Sequence, residues 1–292
     1  MNIAVVGTGA IGMFVAHQLS SMGDDLTCYC RRVDQKDQIE QYGIRLGDHQ
    51  KRVKVALSSS MDEHDLMIIC TKQTNLSPLI DYFHQHHHQT TLLFLQNGMG
   101  HIHLIEKLPQ KVMVGVCEHG VEKVSDHEVK LNGMGKILFT SLHTNIDSNV
   151  VHHLENHDFP FIYEQDLKST LHKKLIVNSV INPLTMIFEL RNGQLLENQD
   201  IRWIAYQLTK EACEILEHEV EDMWQTVQNI CQNTAQNASS MLIDYRNGRG
   251  TEIDYMNGYL IEKAKHPAPT QQLVYRMVKG KERVREVESI WR

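Results

Sequence analysis

Apolar residues come in short runs in the first half of the chain and recur at helical spacing in the second. Ile3-Ala4-Val5-Val6, Leu26-Thr27-Cys28-Tyr29-Cys30, Leu66-Met67-Ile68-Ile69-Cys70, Thr91-Leu92-Leu93-Phe94-Leu95 and Val112-Met113-Val114-Gly115-Val116 each have the length of a strand. An amphipathic segment from Ala10 to Ser21, closed by Gly23, separates the first two. A helix from about Leu76 to His84 precedes the fourth. Strands alternating with helices predict a mainly parallel sheet. Residues 38 to 60 are polar and read as irregular chain, with extended pieces at Ile44-Arg45-Leu46 and Val53-Lys54-Val55-Ala56. Glu128 to Leu142 reads as a hairpin turning at Asn132-Gly133, which gives the sheet a mixed tail.

After Tyr163 the period changes. Residues 166 to 290 are almost continuously helix-like, interrupted at Asn192-Gly193, at Asn247-Gly248-Arg249-Gly250 and at Pro267-Ala268-Pro269. The fold class expected is therefore α/β: an N-terminal Rossmann-type doubly wound sheet over 1–165, then a C-terminal all-helical domain over 166–292. From Thr270 onward Leu273, Val274, Met277, Val278 and Val284 alternate with charges, as in an exposed amphipathic helix. That face could pair with a second copy, so a homodimer stays open.

One helical segment stands apart. In Lys173–Thr185, Leu175, Ile176, Val177, Val180, Ile181 and Leu184 wrap most of the circumference, which places the helix inside the protein. Lys174, Asn178 and Asn182 are spaced four and four and form one polar stripe along it. Buried polar groups need partners, so either other side chains satisfy the stripe or it faces a ligand. Pro183 lacks a backbone donor and disfavours helical geometry at Asn182, so a kink or an end is expected there.

Composition narrows the class. With 41% hydrophobic and 22% charged residues the chain is an ordinary globular protein, and its net charge of -7 argues against nucleic acid as a partner. No apolar run approaches a membrane span, and a first strand starting at Asn2 leaves no room for a signal peptide, so the expected location is the cytoplasm. The six cysteines show no C-x-x-C pair and read as buried free thiols. His84, His86, His87 and His88 lack a supporting carboxylate or cysteine pattern, so no metal site is assigned.

The first strand runs directly into Gly7-Thr8-Gly9-Ala10-Ile11-Gly12 and then a helix, the context in which G-x-G-x-x-G signals dinucleotide binding. Gly7 allows the turn, Gly9 the approach of a pyrophosphate, and Gly12 close packing of helix on strand. Arg31 and Arg32 occupy the end of the second strand, where an acid would favour NAD; a guanidinium there suits a 2′-phosphate and thus NADP. Asp34 nearby weighs the other way. Lys72 and Asn97 follow the carboxyl ends of later strands, the edge at which such sheets bind ligands. Asn237-Ala238-Ser239-Ser240-Met241 reads as a helix end, and Thr251-Glu252-Ile253-Asp254 as a capping box opening the next helix. Local pattern alone favours plain capping for both.

The ordered set Gly7-x-Gly9-x-x-Gly12, Asn97-Gly98-Met99-Gly100, Lys174-x-x-x-Asn178-x-x-x-Asn182-Pro183-Leu184-Thr185, Asn192-Gly193, Ser239-Ser240-Met241 and Thr251-Glu252-Ile253-Asp254-Tyr255-x-Asn257-Gly258 resembles the ketopantoate reductase family nearly end to end. The resemblance implies NADPH-dependent reduction of 2-dehydropantoate (ketopantoate) to (R)-pantoate, on the route to pantothenate and coenzyme A. It implies that Lys174 is the catalytic lysine on the reacting oxygen and that Glu252 lies near substrate hydroxyl and cofactor. Asn178, Asn182, Asn192 and Ser240 match substrate-binding positions, and Asn97 one that touches both ligands. Gly7 to Gly12, with Thr8, Ala10 and Ile11, match the cofactor loop, and Arg31 and Lys72 the basic residues that favour the 2′-phosphate. Two positions depart: Asn75 stands where some members have glutamine, and Val121 where a smaller residue contacts the cofactor. The rival readings are a reductase of another 2-keto acid, an NADP-binding sensor without turnover, which would not need the polar stripe, and a thiol-dependent sugar-nucleotide dehydrogenase, for which Cys213 and Cys231 lack an activating partner.

Overall fold

Ile3, Ala4, Val5 and Val6 are all buried, as a strand covered on both faces requires. They form β1 (Asn2–Val6), which lies between two parallel neighbours. The computed structural model describes residues 1–21, 23–143, 147–155 and 159–290. The chain separates into two units, one made of residues 1–96 and 102–167, the other of 97–101 and 168 onward.

In the first unit β1 leads into α1 (Ala10–Leu19), β2 (Asp25–Cys30), α2 (Val33–Tyr42), β3 (Ile44–Leu46), β4 (His49–Lys51) and β5 (Lys54–Leu57). Next come β6 (Leu66–Ile69), α3 (Ser77–Gln85), β7 (Thr91–Phe94), α4 (Ile102–Ile105) and β8 (Lys111–Cys117). β9 (Gly120–Lys123), β10 (Glu128–Gly133), β11 (Ile137–Ser141), α5 (Ser148–Glu155) and β12 (Phe161–Tyr163) complete it. One sheet has the order β12-β11-β8-β7-β6-β1-β2-β5, parallel from β5 to β8, with β11 antiparallel to β8. The chain moves outward from β1 to β5 and returns to β6 on the other side of β1. The reversal therefore falls at the carboxyl end of β1, where the glycine-rich turn sits. Strand alternation divides the core: Ile3 and Val5 pack with Phe14 and Leu19 of α1, and Ala4 and Val6 with Ile80 and Phe83 of α3.

Two expectations are corrected here. Residues 38–60 are more regular than expected: the extended pieces at 44–46 and 53–56 are β3 and β5, but α2 runs to Tyr42 and a further strand, β4, was not foreseen. Only Gln35 and Ile39 of α2 are buried, so no apolar stripe betrays the helix. The segment from Glu128 to Leu142 is not a hairpin. β10 pairs with β9 and β3 in a separate four-stranded sheet, whereas β11 joins the large one.

The second unit is helical: α6 (Lys168–Phe188), α7 (Gln194–Glu197), α8 (Gln199–Leu216), α9 (Val220–Asn233), α10 (Ser240–Arg246), α11 (Asn257–Lys263) and α12 (Pro269–Ile290). α6 lies at its centre and packs against α8, α9, α10 and α12. It runs unbroken through Pro183, so the expected end is not there. An interior proline costs a helix about 3 kcal/mol, and continuation means that tertiary contacts offset this. At its far end the Lys281 ammonium donates to the carbonyls of Met186 (3.3 Å) and Ile187 (3.2 Å) and pairs with Glu189 (3.0 Å).

On the outside of this unit Trp203 is 62% and Leu273 61% exposed, and both line an apolar groove of about 240 Å3 together with Phe188, Ile204, Val274 and Met277. No described helix is long and apolar enough to cross a membrane. None of the six cysteines is in a disulfide, and all but the half-buried Cys70 are buried.

Burial, with the nearby Lys51 ammonium, pushes the pKa of His17 on α1 down from 6.5 to about 4, against an opposing contact with the His49 backbone. The unfolded chain therefore takes up a proton before the folded one does. Stability is present above pH 6.5 and falls as the pH drops toward 4, by about 3 kcal/mol from this residue. Thermal melts across that range should show the loss, and His17→Leu should flatten part of it while leaving the melting temperature at pH 7.5 equal or higher. An unchanged pH slope in the variant would contradict this assignment.

Candidate active site

The three glycines after β1 have different neighbours. Gly7 sits at φ +102°, and a Cβ there would come within 2.8 Å of the Thr71 amide. A Cβ on Gly12 would collide with the Gly7 carbonyl oxygen. Around Gly9, by contrast, nothing lies within 4 Å. The outer two are demanded by the protein itself, and the middle one leaves room for something else. Gly9 precedes α1 and provides no side-chain cap, so the amides of Ala10, Ile11 and Gly12 face the first turn with the helix dipole behind them. The buried amide of Gln35 steadies the loop, donating to the Thr8 carbonyl at 2.8 Å and to that of Asp126 at 3.0 Å. Gln35 was missed in the sequence; as the one polar residue buried on α2 it carries a signal only once the helix is known. The cradle fits a dinucleotide pyrophosphate.

The two arginines after β2 part company. Arg32 is engaged by Asp34 and Asp126. Arg31 is exposed, and its guanidinium donates to the neutral Asn75 Oδ1 at 3.3 Å. Lys72, half-buried, follows β6 and precedes a one-turn 3-10 helix, Gln73–Asn75. Val121 lies on β9, which packs against α1, and its side chain joins the core there.

In the second unit the remaining candidates share one connected framework. Asn97 opens a short segment whose Gly98 has φ +81°. The Met99 amide donates to the Tyr255 carbonyl at 3.3 Å, and a Cβ on Gly100 would lie 3.0 Å from the Tyr255 ring. Along α6, Lys174 and Asn178 are half-buried and Asn182 is buried, its amide donating to Met256 Sδ at 3.7 Å. One turn on, the hydroxyls of Thr185 and Ser239 lie 2.6 Å apart in a hydrogen bond. Ser239 caps α10 by accepting from the Leu242 amide at 3.1 Å, which sets the exposed Ser240 at its first position. The cluster around it thus begins a helix and does not end one. Asn192 is buried; its backbone amide donates to the Asn237 carbonyl at 3.0 Å and its side chain to Thr234 Oγ1 at 2.9 Å. Its Oδ1 has no partner among the described residues, an acceptor out of water that a ligand donor would satisfy.

The capping box at Thr251 does not form. The Thr251 hydroxyl is buried without a partner among the described residues, its amide donates to Glu282 Oε1 at 2.8 Å, and Glu252 leads into a one-turn 3-10 helix, Ile253–Tyr255, without capping it. Asp254 anchors this turn to α12, accepting from the Tyr275 hydroxyl at 2.6 Å and from Lys279 at 3.1 Å. The buried Glu252 is a site candidate and not a cap. Burial, then the Asp254 and Glu252 carboxylates, push the Tyr255 phenol up, so it remains a protonated hydroxyl. Among the described residues no three His, Cys, Asp or Glu side chains gather to hold a metal ion.

A family model described as "Ketopantoate reductase PanE/ApbA" matches residues 3–143, and one described as "Ketopantoate reductase PanE/ApbA C terminal" matches 166–282. The chain is 36% identical over 272 residues to the 2-dehydropantoate 2-reductase of Bacillus subtilis strain 168, covering 90% of this chain and 91% of that one. A solved structure of a probable 2-dehydropantoate 2-reductase from Bacillus subtilis superposes with a TM-score of 0.84 at 34% identity, over 97% of this chain and 100% of that one. D-mandelate dehydrogenase with NADH and anilino(oxo)acetate superposes with a TM-score of 0.90 at 22% identity, over 97% and 99% of the two chains, a likeness of fold alone.

The glycine geometry separates ligand binding from folding. Gly9→Ala should keep the melting temperature within a degree or two of the parent yet weaken dinucleotide binding at least about tenfold, because its new methyl meets only what the loop binds. Gly12→Ala should lower the melting temperature itself. Calorimetry with and without dinucleotide reads both, and Gly9→Ala binding like the parent would refute the cradle.

Proposed function

The chain belongs to the ketopantoate reductase family and is an oxidoreductase, and from that premise we propose that it reduces the ketone of 2-dehydropantoate to (R)-pantoate with NADPH, Lys174 serving as general acid. The observation that carries the reading is the stripe on α6: an ammonium and two carboxamides at spacings of four on a helix whose buried positions are mostly apolar. A binding protein without turnover has no use for such a stripe.

When bound, the dihydronicotinamide supplies the hydride. Negative charge then develops on the former carbonyl oxygen. The Lys174 ammonium stabilises it and gives it a proton: the N–H bond breaks, an O–H bond forms and a neutral amine remains. Asn178, Asn182, Asn192 and Ser240 orient the substrate with neutral donors and acceptors that add no competing charge. The Glu252 carboxylate accepts from the substrate hydroxyl, and Asn97 serves both ligands. In this reading residues 1–165 carry the cofactor and 166–292 the substrate. Gly7, Thr8, Gly9, Ala10, Ile11 and Gly12 take the pyrophosphate, with Val121 on the strand beside α1. Arg31 and Lys72 take the 2′-phosphate. Arg31 suits this because its neutral partner, Asn75, leaves its charge uncompensated, whereas Arg32 is neutralised by two carboxylates.

We also assign the exposed apolar face of α8 and α12 to a homodimer. It presents an apolar groove walled by the exposed Trp203 and Leu273, and a two-fold axis can bring two such faces together.

Turnover of NADPH with ketopantoate tests the main reading. Lys174→Ala should lower kcat by about two to three orders of magnitude. Arg31→Ala should raise the KM for NADPH about tenfold or more and leave that for NADH unchanged. Equal use of NADH by the parent would overturn the assignment of Arg31, and no turnover on ketopantoate with NADPH bound would redirect the search to other 2-keto acids. Light scattering coupled to gel filtration should give twice the chain mass, reduced to a monomer by Leu273→Asp; a monomeric parent would dismiss the pairing.

A further inference from the structure

Pro183 is the fourth residue after Ser179, so the Ser179 carbonyl lacks the amide that would close its helical turn. That carbonyl is not left bare. The side-chain amide of Asn257, the first residue of α11, donates to it at 2.9 Å. The same nitrogen donates to Gln271 Oε1 at 2.7 Å, and Gln271 Nε2 donates to the Leu208 carbonyl at 2.9 Å. Asn257 and Gln271 are both wholly buried. The preceding residue, Met256, accepts from Asn182. Two consecutive residues therefore grip α6 within the turn that Pro183 weakens, and five residues before Asn257 stands Glu252.

We infer that Asn257 is a positioning residue for the proposed site: its carboxamide replaces the amide missing at Pro183 and fixes the angle of α6 at the one turn where the stripe could bend. Lys174 and Asn178 lie before that turn and Asn182 within it. With the bond in place the three stay in line, and the Glu252 turn is tied to the same carbonyl. Without it the freed carbonyl swings outward and Asn182 moves out of line with Lys174 and Asn178. Asn257 touches no reacting atom in this scheme. The inference rests on the stripe being the site, as proposed above.

The test is a double-mutant cycle between Asn257 and Pro183, read in kcat, in KM for ketopantoate, in NADPH affinity and in melting temperature. Asn257→Ala should lower kcat about tenfold to a hundredfold, leave NADPH affinity unchanged and lower the melting temperature. Pro183→Ala restores a backbone amide that can donate to Ser179 itself, so kcat in Pro183→Ala/Asn257→Ala should return to within about threefold of Pro183→Ala alone. That background also keeps the test alive if Asn257→Ala alone does not fold, since recovery of a folded, active double variant is then the supporting result. A purely structural Asn257 would lower the melting temperature and leave kcat of the folded enzyme intact, which overturns the inference. So would a double variant as impaired as Asn257→Ala. Lys174→Ala, measured in parallel, separates the two levels. Its inactivity beside a fully active Asn257→Ala sinks the positioning role only, whereas a fully active Lys174→Ala sinks the site and the inference with it.

Discussion

The carbonyl of Ser179 has to be satisfied out of water, and much of the helical unit is arranged around that requirement. Asn257 reaches it from α11, Gln271 holds Asn257 from α12, and α8 holds Gln271 through the Leu208 carbonyl. One relay of amides thus crosses four helices. Each link removes a buried polar group from the unsatisfied account, and removing any one would expose its neighbours to the same penalty. Apolar packing around α6 sets how close the helices come; the relay sets their rotation, because amides bond only in line.

The first unit solves a different problem by subtraction. Gly7 and Gly12 are bare so that the strand, the turn and α1 can touch, and Gly9 is bare toward solvent. A loop built this way presents backbone amides and the helix dipole without a side chain to fill their place. Arg31 and Arg32 extend the same economy: adjacent in sequence, Arg32 is neutralised by carboxylates, whereas Arg31 bonds a neutral amide.

What could be read from sequence follows from how local each determinant is. Strands buried on both faces, such as Ile3–Val6, declare themselves by composition, and the stripe of Lys174, Asn178 and Asn182 by its period. α2 was hidden because it buries almost nothing apolar. Asn132-Gly133 has turn chemistry, yet turn chemistry does not say which strand pairs with which, and β10 and β11 joined different sheets. Pro183 misled for a related reason. A helix ends at a proline unless a donor is supplied, and here the donor stands 78 residues away in the chain. The orphan carbonyl was implied at once; its partner was not. Likewise nothing local distinguishes Arg31 from Arg32, since Asp126 enters from the turn between β9 and β10.

The thiols have a consequence of another kind. Burial pushes Cys28 and Cys213 up to about 12 and Cys231 up to about 11, with Cys30 and Cys70 also raised. At neutral pH these carry almost no thiolate, and alkylating reagents act on thiolates. These five thiols accordingly react slowly with them until a region opens. Cys28, Cys30, Cys70 and Cys117 belong to the sheet unit, and Cys213 and Cys231 to the helical one. Slow labelling followed by peptide mapping therefore makes each half of the molecule keep its own clock of opening, with no probe added.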